Sequence, residues 1–172
     1  VGRDDVSARP DFFVTLQWRC RKPRTWLFDL DAIRDAGIQL GIRNPISLGV
    51  VEAGGRQWTT NGTHRVEKMR LPDGSSGPVH KLTVRRTCSP RQASRTIWHE
   101  LAHAKQAEDH GDPERFYEES YSRHGVMRTR AYATNPFEID ARDHEDFDDD
   151  LHLVKPTESA AGMWPPEERW EK

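Results

Sequence analysis

Hydrophobic and polar positions alternate over Phe12–Trp18. Phe12, Val14, Leu16 and Trp18 fall on one side and Phe13, Thr15 and Gln17 on the other, the period of a strand with one buried face. A basic connection, Arg19–Arg24, follows. Asp29 is placed to cap a short helix reaching about Ala36 and closed by Gly37. β-rich stretches come next: Ile46–Glu52, then a Gly54-Gly55 turn, then Gln57–Thr60 and an Asn61-Gly62 hairpin signal. His64–Leu71 leads into the loop Pro72–Pro78, and Val79–Thr87 is the last strand. In it Val79, Lys81, Thr83 and Arg85 share one face and His80, Leu82, Val84 and Arg86 the other. This pattern predicts an antiparallel meander of about four strands.

Helical signals take over after Thr87. Ser89 followed by Pro90 is a cap-plus-proline start, and the helix it opens runs to about Asp109 and stops at Gly111. Asp112-Pro113 opens a second helix, to about Arg123, and Asn135-Pro136 a third, to about Phe147. Lys155–Lys172, with three prolines and two tryptophans, has no period and reads as a tail, disordered or laid along the surface. The expected organisation is one α+β domain over 1–152, with its core at about 46–147, and a Pro/Trp/Glu-rich tail over 153–172.

Composition adjusts this picture in three ways. Hydrophobic residues are 34% of the 172, low for a globular chain, which fits a solvated tail. No apolar run approaches the ~20 residues of a membrane helix, and no basic-then-apolar leader is visible after Val1. The net charge of −2 hides a split: +8 over residues 1–105 and −10 over 106–172. Two oppositely charged solvated faces explain it; a basic face for nucleic acid has no motif to support it. Cys20 and Cys88 lie in no metal-ligand spacing. They are expected as free thiols in a reducing compartment, cytoplasmic or virion-associated rather than secreted.

The chemistry lies in His99-Glu100-Leu101-Ala102-His103. Residues four apart sit one turn apart on a helix face, so His99 and His103 can aim two imidazole nitrogens at one Zn²⁺. Glu100, about 100° round the helix, is turned away from that ion but within reach of a water on it. Ala93, Ile97, Leu101 and Ala104 on one side of the helix, and Trp98 and Ala102 on another, predict that it is buried on both sides.

The segment Thr96–Ala104 resembles the active-site helix of the zincin metallopeptidases. The resemblance covers about 46–147: strands, then the HExxH helix, then a later helix with a third ligand. It implies that the strand before that helix, Val79–Thr87, is a sheet edge pairing with extended peptide substrate. The third ligand has several candidates. Gln106 and Asp109 stand where the metzincin pattern has Gly and His, so Asp109 would be carried past the metal on an unbroken helix, and His110 is one position out of register. The gluzincin pattern takes a Glu from a downstream helix. Tyr132–Ala141 looks like such a segment, similar to small HExxH proteins of phages and bacteria, and it offers Glu138, with Asp140 as rival. Asn135 and Glu138 also have capping-box spacing, which by itself would account for both.

Tyr117, Tyr121, His124 and Tyr132 are candidate oxyanion donors. Asp112, Asp140 and Asp143 are candidates to hold a zinc-bound histidine from behind. The acidic run Asp143–Asp150 reads as solvated. The expectation is therefore a zinc metallopeptidase in which His99, His103 and Glu138 hold Zn²⁺ and Glu100 is the general base, acting on a protein or peptide substrate. The other reading is a catalytically idle zincin-fold assembly protein, for example a phage particle component, with a partner on its C-terminal tail. Nucleic-acid and membrane partners are not expected.

Overall fold

A computed structural model of the chain describes residues 14–18, 24–52, 61–71, 73–111, 135–145 and 152–157. Its elements are β1 (Val14–Trp18), β2 (Trp26–Phe28), α1 (Leu30–Gln39), β3 (Ile46–Val51), β4 (Gly62–Arg70), β5 (Ser76–Arg85), α2 (Pro90–His110), α3 (Pro136–His144) and β6 (Val154–Pro156). The protein is α+β. The expected second helix over 112–123, the Gly54-Gly55 turn, Gln57–Thr60, Cys20 and the chain after 157 lie outside the described residues.

Four strands form one sheet in the order β1-β3-β5-β4. β1 and β5 both run parallel to β3, and only β4 is antiparallel to its neighbour β5. The antiparallel or mixed sheet of about four strands expected of this α+β chain is thus a mixed one, and the meander is not antiparallel throughout. His64–Leu71 and Val79–Thr87 do pair antiparallel, with His64 opposite Leu82 and Val66 opposite His80. Their turn closes through Leu71 N donating to Ser75 O (2.8 Å), with Gly74 at φ +86°. Asn61-Gly62 is not a hairpin turn, since Gly62 is already the first residue of β4.

β5 is not an edge, as the resemblance implied. It lies between β3 and β4, and among the described strands β1 and β4 are the outer ones. The reason is non-local: every residue of β3 is buried, as a strand covered on both faces requires, and β3 claims the far side of β5. His80 N, for instance, donates to Pro45 O at 2.8 Å.

Asp29 caps α1 as expected, accepting from Ala32 N at 3.1 Å. The helix passes through Gly37, which is buried, and stops before Gly41 at φ +74°. A second small sheet pairs β2 with β6, Phe28 opposite Val154. Leu153 is fully buried, and its N–H donates to Ser94 Oγ at 3.0 Å. Through Pro156 the chain is thus packed against β2 and α2. Trp26 closes the same region, its indole N–H donating to Cys88 O at 2.9 Å. The core joins Trp26, Ile33, Leu48, Val50, Leu82, Ile97 and Leu101 across both sheets and α2.

Candidate metal centre

α2 is held in place at both ends by its own sequence. Ser89 Oγ accepts from Gln92 N (3.2 Å), and Gln92 Oε1 accepts from Ser89 N (3.0 Å), a complete capping box. Gly111, at φ +82°, ends it. Ile97, Leu101 and Ala104 on one side and Trp98 and Ala102 on another are all buried. The helix is therefore fixed in rotation, and His99, Glu100 and His103 take their directions from that packing.

His99 Nε2 and His103 Nε2 face each other at 3.1 Å. The Glu138 carboxylate lies 3.3 Å from the first and 3.4 Å from the second. α3 delivers it. Asn135 caps the helix by accepting from Phe137 N (2.9 Å), and Pro136 is its first residue. Glu138 stands at the position that could close a capping box, but its carboxylate, 3% exposed, is turned to the two histidines. The rivals are engaged elsewhere. Asp140 accepts from Gln106 Nε2 at 2.7 Å, and Asp109 is ion-paired with Lys105 at 2.7 Å on an exposed face.

These residues could hold a metal ion. The two imidazole nitrogens are 3.1 Å apart, Glu138 Oε2 is 3.3 Å from His99 and Glu138 Oε1 is 3.4 Å from His103. One ligand atom from each residue lies within 4.8 Å of the others, and two imidazoles with a carboxylate are a donor set that zinc takes. The protonation pattern fits as well. His99 Nδ1 is 3.0 Å from Glu145 Oε1, and His103 Nδ1 is 2.8 Å from Gln106 Oε1. Gln106 Nε2 donates to Phe137 O and Asp140, so its oxygen is the acceptor. Each histidine thus donates from Nδ1 and turns its Nε2 inward beside a carboxylate, where a metal ion would take the place of a proton. The group favours positive charge: burial lowers the His99 pKa, but hydrogen bonds with Glu138 and Glu145 outweigh it and raise it to about 9.

Glu100 is 5% exposed and stands outside this triangle. Burial pushes its carboxyl up while His103 and His99 pull it down and Glu138 and Glu145 raise it further, to about 7. Beside it the strand comes close. A β-carbon on Gly62 would lie 2.4 Å from Thr96 Cγ2, 2.8 Å from Thr83 O and 3.0 Å from Glu100 Oε1, so only glycine fits there unshifted.

Two supports of the site escaped the sequence reading. Glu145 is two turns after Glu138 on one helix face, a spacing visible in the sequence but hidden in what reads as an acidic run. Gln106 is one turn beyond His103. Among the named supports, Asp140 meets the site through Gln106, and Asp143 is exposed on α3; Asp112, Tyr117, Tyr121, His124, Tyr132 and the acidic run beyond 145 fall outside the described residues.

A second polar chain lies along the same helix and was also missed. His64 Nε2 is 2.9 Å from His80 Nδ1, and His80 Nε2 is 2.9 Å from Glu108 Oε1. Glu108 also accepts from Arg43 N, Arg43 Nε and Asn44 N at 2.7–3.2 Å. Burial raises the Glu108 pKa, but these bonds prevail and lower it to about 2. Burial, then the charges of His80 and His103, lower the His64 pKa to about 3. The sequence signal was a histidine, His80, sharing a strand face with Leu82 and Val84.

No family model, curated protein or solved structure matches this chain. Among the described residues no helix is long and apolar enough to cross a membrane.

Proposed function

We propose that this protein is a zincin-like, zinc-dependent peptidase. The observation that carries the reading is the convergence of His99, His103 and the Glu138 carboxylate, one ligand atom from each within 4.8 Å of the others, with Glu100 buried just outside. Zinc, when bound there, supplies an acidified water and polarises a carbonyl. His99, His103 and Glu138 would hold the ion, and Glu145 and Gln106 would fix the histidine tautomers. Glu100, with a pKa near neutrality, would take a proton from the attacking water and pass it to the leaving amine.

The test is cleavage of a reduced, alkylated, unfolded protein by the zinc-loaded chain, followed by mass spectrometry. Wild type should generate new termini. Glu100→Gln keeps size and shape but cannot accept the proton, so its rate should fall about 10²–10⁴-fold with zinc retained. Equal cleavage by both proteins would sink the mechanism, and none by wild type would favour the idle assembly role.

A further inference from the structure

We propose that α3 is a metal-dependent clasp: its docking on α2 depends on an ion held by His99, His103 and Glu138, so that the chain without metal keeps its core but releases α3 and the third ligand with it. The proposal rests on the metal reading of that group and not on peptidase activity.

Apolar burial does not explain where α3 lies. Of its nine residues only Glu138 and Ala141 are buried, and Ala141 offers a single methyl group. Phe137 is half-buried, and Ile139, the other large apolar side chain of the helix, is 46% exposed. Stabilisation by burial scales with apolar area, and little is hidden here. α2 is the opposite case: Ala93, Ile97, Trp98, Leu101 and Ala104 are all buried, and the helix packs against β4, β5 and β6.

α3 is also short. Helices below about 12–15 residues are marginal in water by themselves, and α3 has nine. The Asn135 cap satisfies one of its N-terminal donors and no more. Its order therefore comes from docking, and α2 is the described element it chiefly packs against.

The docking contacts gather on the metal group. Glu138 lies 3.3 Å from His99 Nε2 and 3.4 Å from His103 Nε2. Glu145, which caps the end of α3, reaches His99 Nδ1 with one oxygen (3.0 Å) and Arg95 with the other (3.4 Å). For His99, then, α3 supplies a neighbour to each ring nitrogen. Gln106 donates to Phe137 O and Asp140 while its oxygen holds His103 Nδ1. The His110 ring meets Phe137 with centroids 5.3 Å apart, beyond the group.

Charge then decides what keeps the helix in place. Docking α3 brings Glu138 and Glu145 close enough to Glu100 for the three carboxylates to act on one another around the two imidazoles. Arg95 and Arg142 draw on Glu145, but both are partly or fully exposed, where water weakens their pull. Carboxylates gathered in a buried group repel, and a cation among them reverses the sign. Two imidazoles and Glu138 are the donors for such a cation, and its binding free energy becomes docking free energy for α3. α2 needs no ion: its capping box and apolar packing hold it. The change on metal removal is thus confined to α3.

Amide hydrogen exchange of the full chain, read by mass spectrometry on peptic fragments, tests this. Zinc-loaded protein is compared with protein stripped by a chelator and desalted. With free zinc at about 100 times its dissociation constant, exchange over residues 136–145 should be about 10²-fold slower than in the stripped chain. Fragments from α2 and β5 should change little. Glu138→Gln keeps the size and shape of the side chain but not its charge, and exchange in its α3 should no longer respond to the same zinc concentration. Equal protection of α3 in stripped and loaded wild type, with bound zinc confirmed by metal content, overturns the clasp and leaves the metal centre standing. Loss of protection in α2 and β5 together with α3 also overturns it, because the ion would then hold the whole fold. A folded chain that takes up no zinc removes the metal reading and the clasp with it.

Discussion

Gly62 and Glu100 meet where strand β4 crosses helix α2, with room for a hydrogen and not for a methyl group. The same contact brings an outer strand of the described sheet to the candidate base. Gly62→Ala must push apart Thr96, the Thr83 carbonyl and Glu100. The expected cost is about 1–3 kcal/mol, the usual range for overpacking, read as a lower urea midpoint with unchanged slope. An unchanged midpoint would mean that strand and helix are not in this contact.

Behind the histidines, Gln106 bridges His103 to Asp140 and the Phe137 carbonyl, and so ties α2 to α3. Gln106→Ala leaves the His103 ring without its orienting acceptor. Zinc affinity should drop about 10–100-fold in a chelator competition, with the fold retained by circular dichroism. Glu145→Ala, removing the acceptor at His99, should act in the same direction.

Acid stability follows from His64 and Glu108. His64 has a folded pKa of about 3, lowered from 6.5, so the unfolded chain binds this proton first. Stability should decline as pH falls from about 6.5 toward 3, by on the order of 1–2 kcal/mol at pH 5. Glu108 has a folded pKa of about 2, lowered from 4.5, so its contribution is complete above about 4.5 and is lost as pH falls toward 2. Urea unfolding at pH 7, 5 and 3.5 should show the first decline flattened in His64→Gln and the second in Glu108→Gln. Identical slopes for all three proteins would contradict both assignments.

The parts legible in the sequence are those set by near neighbours. Ser89-Pro90, Gly111 and the two-sided burial of α2 were all readable, because capping and helical period are local. The strand order was not. β2 is three residues long, too short for a period, and its partner β6 lies across nearly the whole described chain. β3 and β5 are neighbours in space but are separated in sequence by β4, so turn signals at Asn61-Gly62 suggest a meander in which sequential strands pair. The glycine there answers to α2 rather than to a turn.

Of the centre itself, His99 and His103 follow from one-turn spacing. Glu138 did not follow from spacing alone, because its helix position suits a cap as well as a ligand. Only the direction of its carboxylate separates the two. The polar chain through His64, His80 and Glu108 was invisible because it joins two strands and a helix at sequence separations of 16 and 28 residues.

Metal content per chain tests the centre most directly. Wild type and Glu138→Ala, each saturated with zinc and then desalted, should differ sharply: about one zinc per chain in wild type and little in the variant, with both folded. A Glu138→Ala protein that keeps its zinc as well as wild type, or a folded wild type that takes up none, would contradict the assignment of His99, His103 and Glu138 as the metal site.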